Sequence, residues 1–472
     1  MEKSDLYGAL SAYQQRDICP MHMPGHKRQT LFAADLPWHL DISEIHGFDD
    51  LHSAEGILLD AQRRAAALWG SDSAYFLVNG STGGILAGIY AATRPGDRVL
   101  IARNCHKSVY HAVELLGLCP VYLEPPILEE SGICGSISPT SVAEAVAQNP
   151  DVRLAVLTSP SYEGVVSDIG TIAETLHKKS IPLLVDEAHG AHFGLSPHFP
   201  QSAVSQGADI VIQSLHKTLP SLTQTAIAHL RDGLIPRERL RHGLGIFQTT
   251  SPSYPLMASI DGCVGLLRDE GAALFAAWRD RLSAFRRSVS DLRHLSVLSE
   301  TSDSHRIYAH DTGKIPILCG GASITGPELL AALREDYGIE LEMALPGYAL
   351  AMTGLANTDE HFHRLGSALR QLDCTLHPAP LRPINPLPPM GEQIMPPGEA
   401  LRASGRRIAV GQSVGQIART YLWAYPPGIP LITPGQRITA ALVDCLAGLS
   451  DGQVAVKSTA RCPAGWVAVV GE

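Results

Sequence analysis

The residue best placed to act as a nucleophile is Lys217. It stands in the stretch Asp209–Pro220 (DIVIQSLHKTLP), where Ile210, Val211 and Ile212 read as a buried strand and Pro220 stops regular structure. A lysine at the mouth of a buried strand is poorly solvated, and desolvation lowers its pKa. A neutral amine there can attack an aldehyde and form a Schiff base. Taken alone, the same lysine reads more readily as a surface residue with its stem lying along apolar surface. A second apolar stretch, Ile181–Val185, delivers Asp186 at its end, followed by Glu-Ala-His-Gly190. If the two strands are parallel neighbours, both groups reach one carboxyl edge, where open α/β sheets bind ligands.

Three further groups fall at strand ends. The run LVNGSTGG (77–84) joins a strand to a helix. Its glycines, Gly80 among them, let backbone approach an anion, Ser81 and Thr82 offer hydroxyls, and the helix start offers free N–H groups. It lacks the Gly-Lys-Ser/Thr of a nucleotide-binding P-loop, and Ser and Thr also cap helices routinely. His106, in RNCHKS (103–108), could lie flat on an aromatic ring or simply cap a helix. His189 follows Asp186 by three residues, His216 directly precedes Lys217, and Ser214 ends the same strand. A lysine for an aldehyde, an acid for a pyridinium nitrogen and a phosphate cup together are what pyridoxal phosphate (PLP) requires. Cup, histidine, acid and lysine occur in the chain order of the large aspartate-aminotransferase type of PLP fold.

The elements that must hold these groups follow a strand-then-helix rhythm. Strands are expected at 74–78, 98–102, 120–123, 154–158, 181–186, 210–212 and 225–230. Helices are expected at 54–69, 83–93, 106–117, 140–148 and 170–179. Such alternation predicts an α/β fold with a mainly parallel, seven-stranded sheet. A long helix is expected near 264–293, then smaller α+β domains towards the C-terminus. The proline-rich stretch 375–398 reads as a loop or linker. The expected division is an N-terminal arm (1–55), a large cofactor-binding domain (56–290), a small α+β domain (291–375) and a C-terminal module (376–472).

Composition excludes several classes. At 472 residues the chain exceeds one core, and 45% hydrophobic with 18% charged residues is ordinary for a soluble protein. A net charge of −10 without a basic block argues against nucleic acid. No apolar run approaches the roughly 20 residues that span a bilayer, and the start lacks a signal-peptide core. Nine scattered cysteines, with no CxxC and no metal spacing, read as reduced thiols in a cytoplasm.

The sequence resembles the ornithine/lysine/arginine decarboxylase family, in a short form without an N-terminal wing domain. The matching stretches are MHMPGHK (21–27), FDDLH (48–52), FLVNGSTGG (76–84), RNCHKS (103–108), TSPSYEG (158–164), DEAHGAH (186–192), SLHKTLPSLTQ (214–224), QTTSPSYPLMASID (248–261) and YPPGIPLITPG (425–435). The resemblance implies that Lys217 carries the cofactor, Asp186 pairs with its ring nitrogen and His106 stacks on the ring. Gly80, Ser81, Thr82, Ala188, His189, Ser214 and His216 would surround it, and Thr249 would reach the phosphate of a neighbouring subunit. That implies a homodimer or higher homo-oligomer with shared active sites.

The activity implied is decarboxylation of a basic L-amino acid in polyamine metabolism, with arginine first, then lysine or ornithine. The distal cation would meet a carboxylate, and Asp41, Glu44, Asp49, Asp50 and Glu342 are candidates. One departure stands out: the family's Pro-Gly-Glu is here Pro434-Gly435-Gln436, which either alters specificity or is structural. The same fold also supports transamination, with Arg402, Arg406, Arg407 or Arg419 available to hold a substrate carboxylate, or a silent regulatory protein.

Overall fold

The computed structural model describes residues 17, 19–21, 44, 49–299, 302–380, 388–425, 429–449, 455–463 and 465–471. Most of the expected N-terminal arm, including Asp41 and most of MHMPGHK, lies outside the described residues.

A seven-stranded sheet forms the centre. Its strands in chain order are β1 (Ser73–Leu77), β2 (Arg98–Ala102), β3 (Cys119–Leu123), β4 (Val152–Thr158), β5 (Leu183–Asp186), β6 (Ile210–Ser214) and β7 (Ala226–Leu230). In space they run β1-β7-β6-β5-β4-β2-β3. Pairs among β2 to β6 are parallel, whereas β7 runs antiparallel to both β6 and β1. Strands β5 and β6 are buried at every position. That is why they read as unbroken apolar runs rather than alternating ones: helices cover both faces. Each fully buried Ile, Leu or Val contributes roughly 1.5–3 kcal/mol relative to exposure.

The chain pattern that predicted the helices corresponds to α1 (Ile57–Trp69), α2 (Gly80–Ala92), α3 (Lys107–Leu115), Pro139–Gln148 and Ile169–His177. Helix α2 is almost uniformly apolar because it lies flat on the sheet. A Cβ on Gly84 would stand 2.5 Å from Leu77 Cδ1, and one on Gly88 2.6 Å from Leu184 Cδ1. These two glycines therefore set how closely α2 approaches the sheet.

The long helix spans Tyr254–Ser288 and starts ten residues earlier than its apolar spacing suggested. Ser253 accepts a hydrogen bond from the Leu256 N–H, and Pro255 sits in the first turn, a favoured start. Beyond it, Ser296–Val297, Lys314–Leu318, Tyr348–Met352 and Met343–Leu345 form an antiparallel sheet. Helices Gly326–Tyr337 and Asp359–Asp373 follow the capping-box pattern at their starts. Cys19–Met21, expected to be irregular, instead pairs in parallel with Ile339–Leu341. The C-terminal part carries a two-stranded and a three-stranded sheet with the helix Ala440–Leu449. Within the proline-rich stretch, Pro397 opens a short helix to Arg402 rather than continuing a linker.

Candidate active site

Strands β5 and β6 are adjacent and parallel, with Asp186 opposite Ile212. Strand β6 ends at Ser214, and one helical turn, Leu215–Thr218, then presents Lys217. The acid and the amine are thus delivered to one edge by sheet register. Asp186 is buried, and its Oδ1 accepts from the Ala188 N–H at 3.1 Å. Burial pushes its carboxyl above the usual range, opposed by the Lys217 cation and the Ala188 bond. For Lys217 the same burial lowers the ammonium's pKa, and the Asp186 and Glu342 carboxylates oppose the shift. Its Nζ lies 2.9 Å from His189 Nε2. With the lysine as donor, the imidazole proton falls on Nδ1, which is buried and has no partner among the described residues.

The cup is assembled at the start of α2. Asn79 is the N-cap, but its side chain makes no cap bond and donates instead to the Phe247 carbonyl at 2.8 Å. The first N–H groups of a 13-residue helix are therefore left without a side-chain acceptor. Gly80 takes φ +65°, and its N–H donates to the Gln224 carbonyl at 3.0 Å. Ser81 Oγ and Ser214 Oγ meet at 2.5 Å, joining the first turn of α2 to the end of β6. Thr82 is exposed on the outer rim. His216 Nδ1 donates to the Thr225 carbonyl at 3.0 Å, which fixes its ring beside the turn.

His106 does cap a helix: Nδ1 accepts from the Ser108 N–H at 3.3 Å and lies 2.8 Å from Ser108 Oγ. The cap leaves the rest of the ring open, and the residue is exposed at the cleft although protein crowds it on most sides. That crowding, then the Lys217 and Lys107 cations, depresses its imidazole, which stays neutral at neutral pH.

The residues present fit PLP. Among the described residues His189 Nδ1 is buried without a partner, and it converges on one edge with an uncapped helix start and a half-buried lysine.

Several expected site residues do other work. Asp49 sits at φ +70° and accepts from the N–H groups of Asp50, Glu55, Gly56 and Leu58. Burial raises its carboxyl, but these four bonds outweigh it and the pKa is lowered. Asp50 accepts from the His52 N–H at 2.8 Å and caps a single 3-10 turn. Both acids are used to start chain segments. Gln436 is fully buried in the C-terminal part; its Oε1 accepts from the Thr433 N–H and its Nε2 donates to the Gly391 carbonyl. A glutamate would lose the second of these bonds, so here the amide is structural and closed to substrate. Arg419 donates to the Leu401 and Ala403 carbonyls, and Arg406, which is exposed, donates to Gln416 of the same module. Thr249 is exposed, and its carbonyl accepts from His52 Nε2 at 2.8 Å.

Glu342 does reach the site. The Tyr162 hydroxyl donates to its Oε1 at 2.5 Å, and Tyr162 packs on the His189 ring with centroids 4.4 Å apart. Tyr162 lay inside a quoted motif, but nothing in its spacing assigned it a task. Lys314, Asp311 and His192 also gather behind His189, and only the tertiary structure shows it.

The uninterrupted parallel core, the lysine–acid edge and the cup define a PLP fold type I architecture. The chain matches the major domain of Orn/Lys/Arg decarboxylases over residues 4–305 and their C-terminal domain over 387–454. It is 32% identical to the arginine decarboxylase of Bacillus subtilis, covering 93% of this chain and 91% of that one. It is 26% identical to the constitutive lysine decarboxylase of Escherichia coli, covering 81% and 66%. The crystal structure of the Francisella novicida lysine decarboxylase superposes with a TM-score of 0.77 at 20% identity, covering 91% of this chain and 74% of that one. An alanine–glyoxylate aminotransferase from Nostoc shares the fold at a TM-score of 0.55 and 16% identity, covering 73% and 98%. This protein belongs to the Orn/Lys/Arg decarboxylase family.

Proposed function

We propose that this chain removes the α-carboxylate of a basic L-amino acid using PLP linked to Lys217, with arginine the first choice and lysine or ornithine next. The observation that carries the reading is the Lys217–His189 contact, set one strand away from buried Asp186 beside an uncapped helix start. The 32% identity to an arginine decarboxylase over nearly the full length supports arginine.

When bound, the cofactor would supply an electron sink for the bond that breaks. The chain's own groups would do the rest. Burial of Lys217 disfavours its ammonium, which favours the neutral amine that linkage to the cofactor needs. Asp186, on the neighbouring strand, would hold a proton on the ring nitrogen. His106 would lie against the ring face. Ser81, Thr82, Ser214 and the first N–H groups of α2 would bind the phosphate, with Gly80 allowing close approach and His216 flanking it. Ala188 fixes the Asp186 carboxylate through its N–H. Lys217, at hydrogen-bond distance from His189, or a nearby histidine would return a proton to the carbon that loses CO₂. Glu342, oriented by Tyr162, would face the distal cation of the substrate.

Thr249 and Thr82 are both exposed, as a homodimer that completes each site across an interface would require. The nine cysteines carry no disulfide, which supports a reducing cytoplasm. Among the described residues, no helix is long and apolar enough to cross a membrane, and no cluster of three metal ligands occurs. A division into N-terminal arm, large domain, small domain and C-terminal module is proposed on the same grounds as the site.

The test is CO₂ and amine release across arginine, lysine, ornithine and neutral amino acids with PLP present. Turnover of a basic amino acid supports the reading. Keto-acid production in place of CO₂ would transfer it to transamination, and no turnover of any basic amino acid would remove it.

A further inference from the structure

The turn that carries His106 is held from outside the seven-stranded sheet. Arg103 directly follows β2, and its side chain is only 2% exposed. Most of its bonds cross to the C-terminal part of the chain. Nη1 donates to the Pro388 carbonyl at 2.7 Å, while Nε and Nη2 both donate to the Pro430 carbonyl, at 3.2 and 3.0 Å. Nη1 also meets Glu124 Oε2 at 3.1 Å, and Glu124 Oε1 accepts from the Met390 N–H at 3.1 Å. The backbone of Arg103 is pinned as well. Its N–H donates to the Leu123 carbonyl at 2.9 Å, and its carbonyl accepts from the Tyr110 hydroxyl at 2.7 Å. Tyr110 belongs to α3, the helix that His106 caps.

The same C-terminal part covers α3. Trp423 and Tyr421 stand edge-on to the Tyr110 ring, with centroids 5.2 and 6.4 Å apart. A Cβ on Gly398 would stand 2.5 Å from the Glu114 carbonyl, so the helix Pro397–Arg402 rests on the last turn of α3. Beside Arg103 the seam is less filled. A cavity of about 220 Å³ lies there, with Arg103, Asn104 and Glu124 on one side and Pro389 and Ile429 on the other. At that end the polar ties of Arg103, rather than continuous apolar packing, join the two parts.

We propose that Arg103 is a positioning residue for the cofactor: by tying the turn 103–106 to the C-terminal part, it fixes the start of α3 and with it the orientation of the His106 ring. This rests on the reading that His106 lies against the cofactor ring. A planar guanidinium can serve Pro388, Pro430 and Glu124 together, which the point-like ammonium of a lysine cannot. Pro388 and Pro430 are both buried. Removing the fork leaves their carbonyls without that donor, and a buried acceptor without a partner is costly. The seam reseats to recover donors, and the turn ending in His106 moves with it. No covalent step passes through Arg103.

The test is a double-mutant cycle on PLP affinity, read by absorbance titration of the apo-proteins of wild type, Arg103→Met, His106→Ala and the double variant. A stacked ring contact is worth roughly two- to tenfold in affinity. Arg103→Met and His106→Ala are each expected to weaken PLP binding by about that factor, and the double variant by no more than His106→Ala alone. The visible circular dichroism of bound PLP should shift in Arg103→Met, but not between His106→Ala and the double variant. Losses that multiply in the double variant overturn the proposal, because Arg103 would then act independently of His106. So does unchanged affinity in a folded Arg103→Met. If Arg103→Met fails to fold, Tyr110→Phe takes its place in the same cycle, removing only the hydroxyl that holds the Arg103 carbonyl, with the same expected and refuting results. A His106→Ala protein that binds PLP as wild type does removes the ring-stacking reading and the proposal with it. That result needs no Arg103 variant and is distinct from multiplied losses.

Discussion

The closeness of α2 to the sheet makes a sharp prediction about the phosphate cup. Gly84→Ala places a Cβ 2.5 Å from Leu77 Cδ1 and 3.1 Å from two carbons of Ile212. Both neighbours have no exposed surface and no room to yield, so the helix must lift. Overpacking of this kind costs about 1–3 kcal/mol of stability. Ser81 stands one turn before Gly84 and is tied to Ser214 at 2.5 Å. Lifting the helix separates the two hydroxyls. Losing one hydroxyl bond to a charged phosphate costs about 1.5–3 kcal/mol, or roughly ten- to a hundredfold in PLP affinity. Gly88→Ala is the internal control. Its Cβ would stand 2.6 Å from Leu184 Cδ1, an equal clash on the same face, but one turn further from the cup. Denaturant unfolding of both apo-proteins should show similar destabilisation, while PLP titration by absorbance should show weakened binding for Gly84→Ala alone. Equal loss of PLP affinity in both variants, or none in either, would refute the link between helix seating and the cup.

Other outcomes follow from the same geometry. Lys217→Ala should abolish the absorbance band of the lysine–cofactor linkage and all turnover, while leaving the far-UV circular dichroism intact. Glu342→Gln should raise KM for the basic substrate by about tenfold or more, and Tyr162→Phe, which removes a charge-assisted bond, by a similar or smaller factor; steady-state kinetics on the preferred substrate would check both. The apo-protein should lose stability as pH falls from about 6.5 towards 4. Burial holds His229 at about 3 and His310 at about 4, and also lowers His189 and His192. The unfolded chain would take up protons in that window that the folded chain refuses. Glu187, raised by burial to about 7, and Asp186, also raised by burial, act in the opposite sense but are outnumbered. A urea midpoint that does not move between pH 7 and 5 would contradict this.

What the sequence determined by itself was local. The apolar runs before Asp186 and Lys217, the glycine-rich turn before Ser81 and the strand–helix alternation each depend on residues within a dozen positions. Short-range periodicity and turn chemistry are therefore enough to read them, and the parallel sheet follows from their order. Sequence alone could not tell an acid that recognises substrate from one that caps a chain segment, since both are exposed-looking carboxylates near turns. Asp49, with four backbone N–H groups, was decided only by the fold. The same holds for Gln436, whose amide is satisfied inside its own module. Tyr162 and Glu342 meet across 180 residues, and Lys314 arrives from a different sheet. Such contacts are set by how layers stack and how much water they exclude, and no local pattern encodes either.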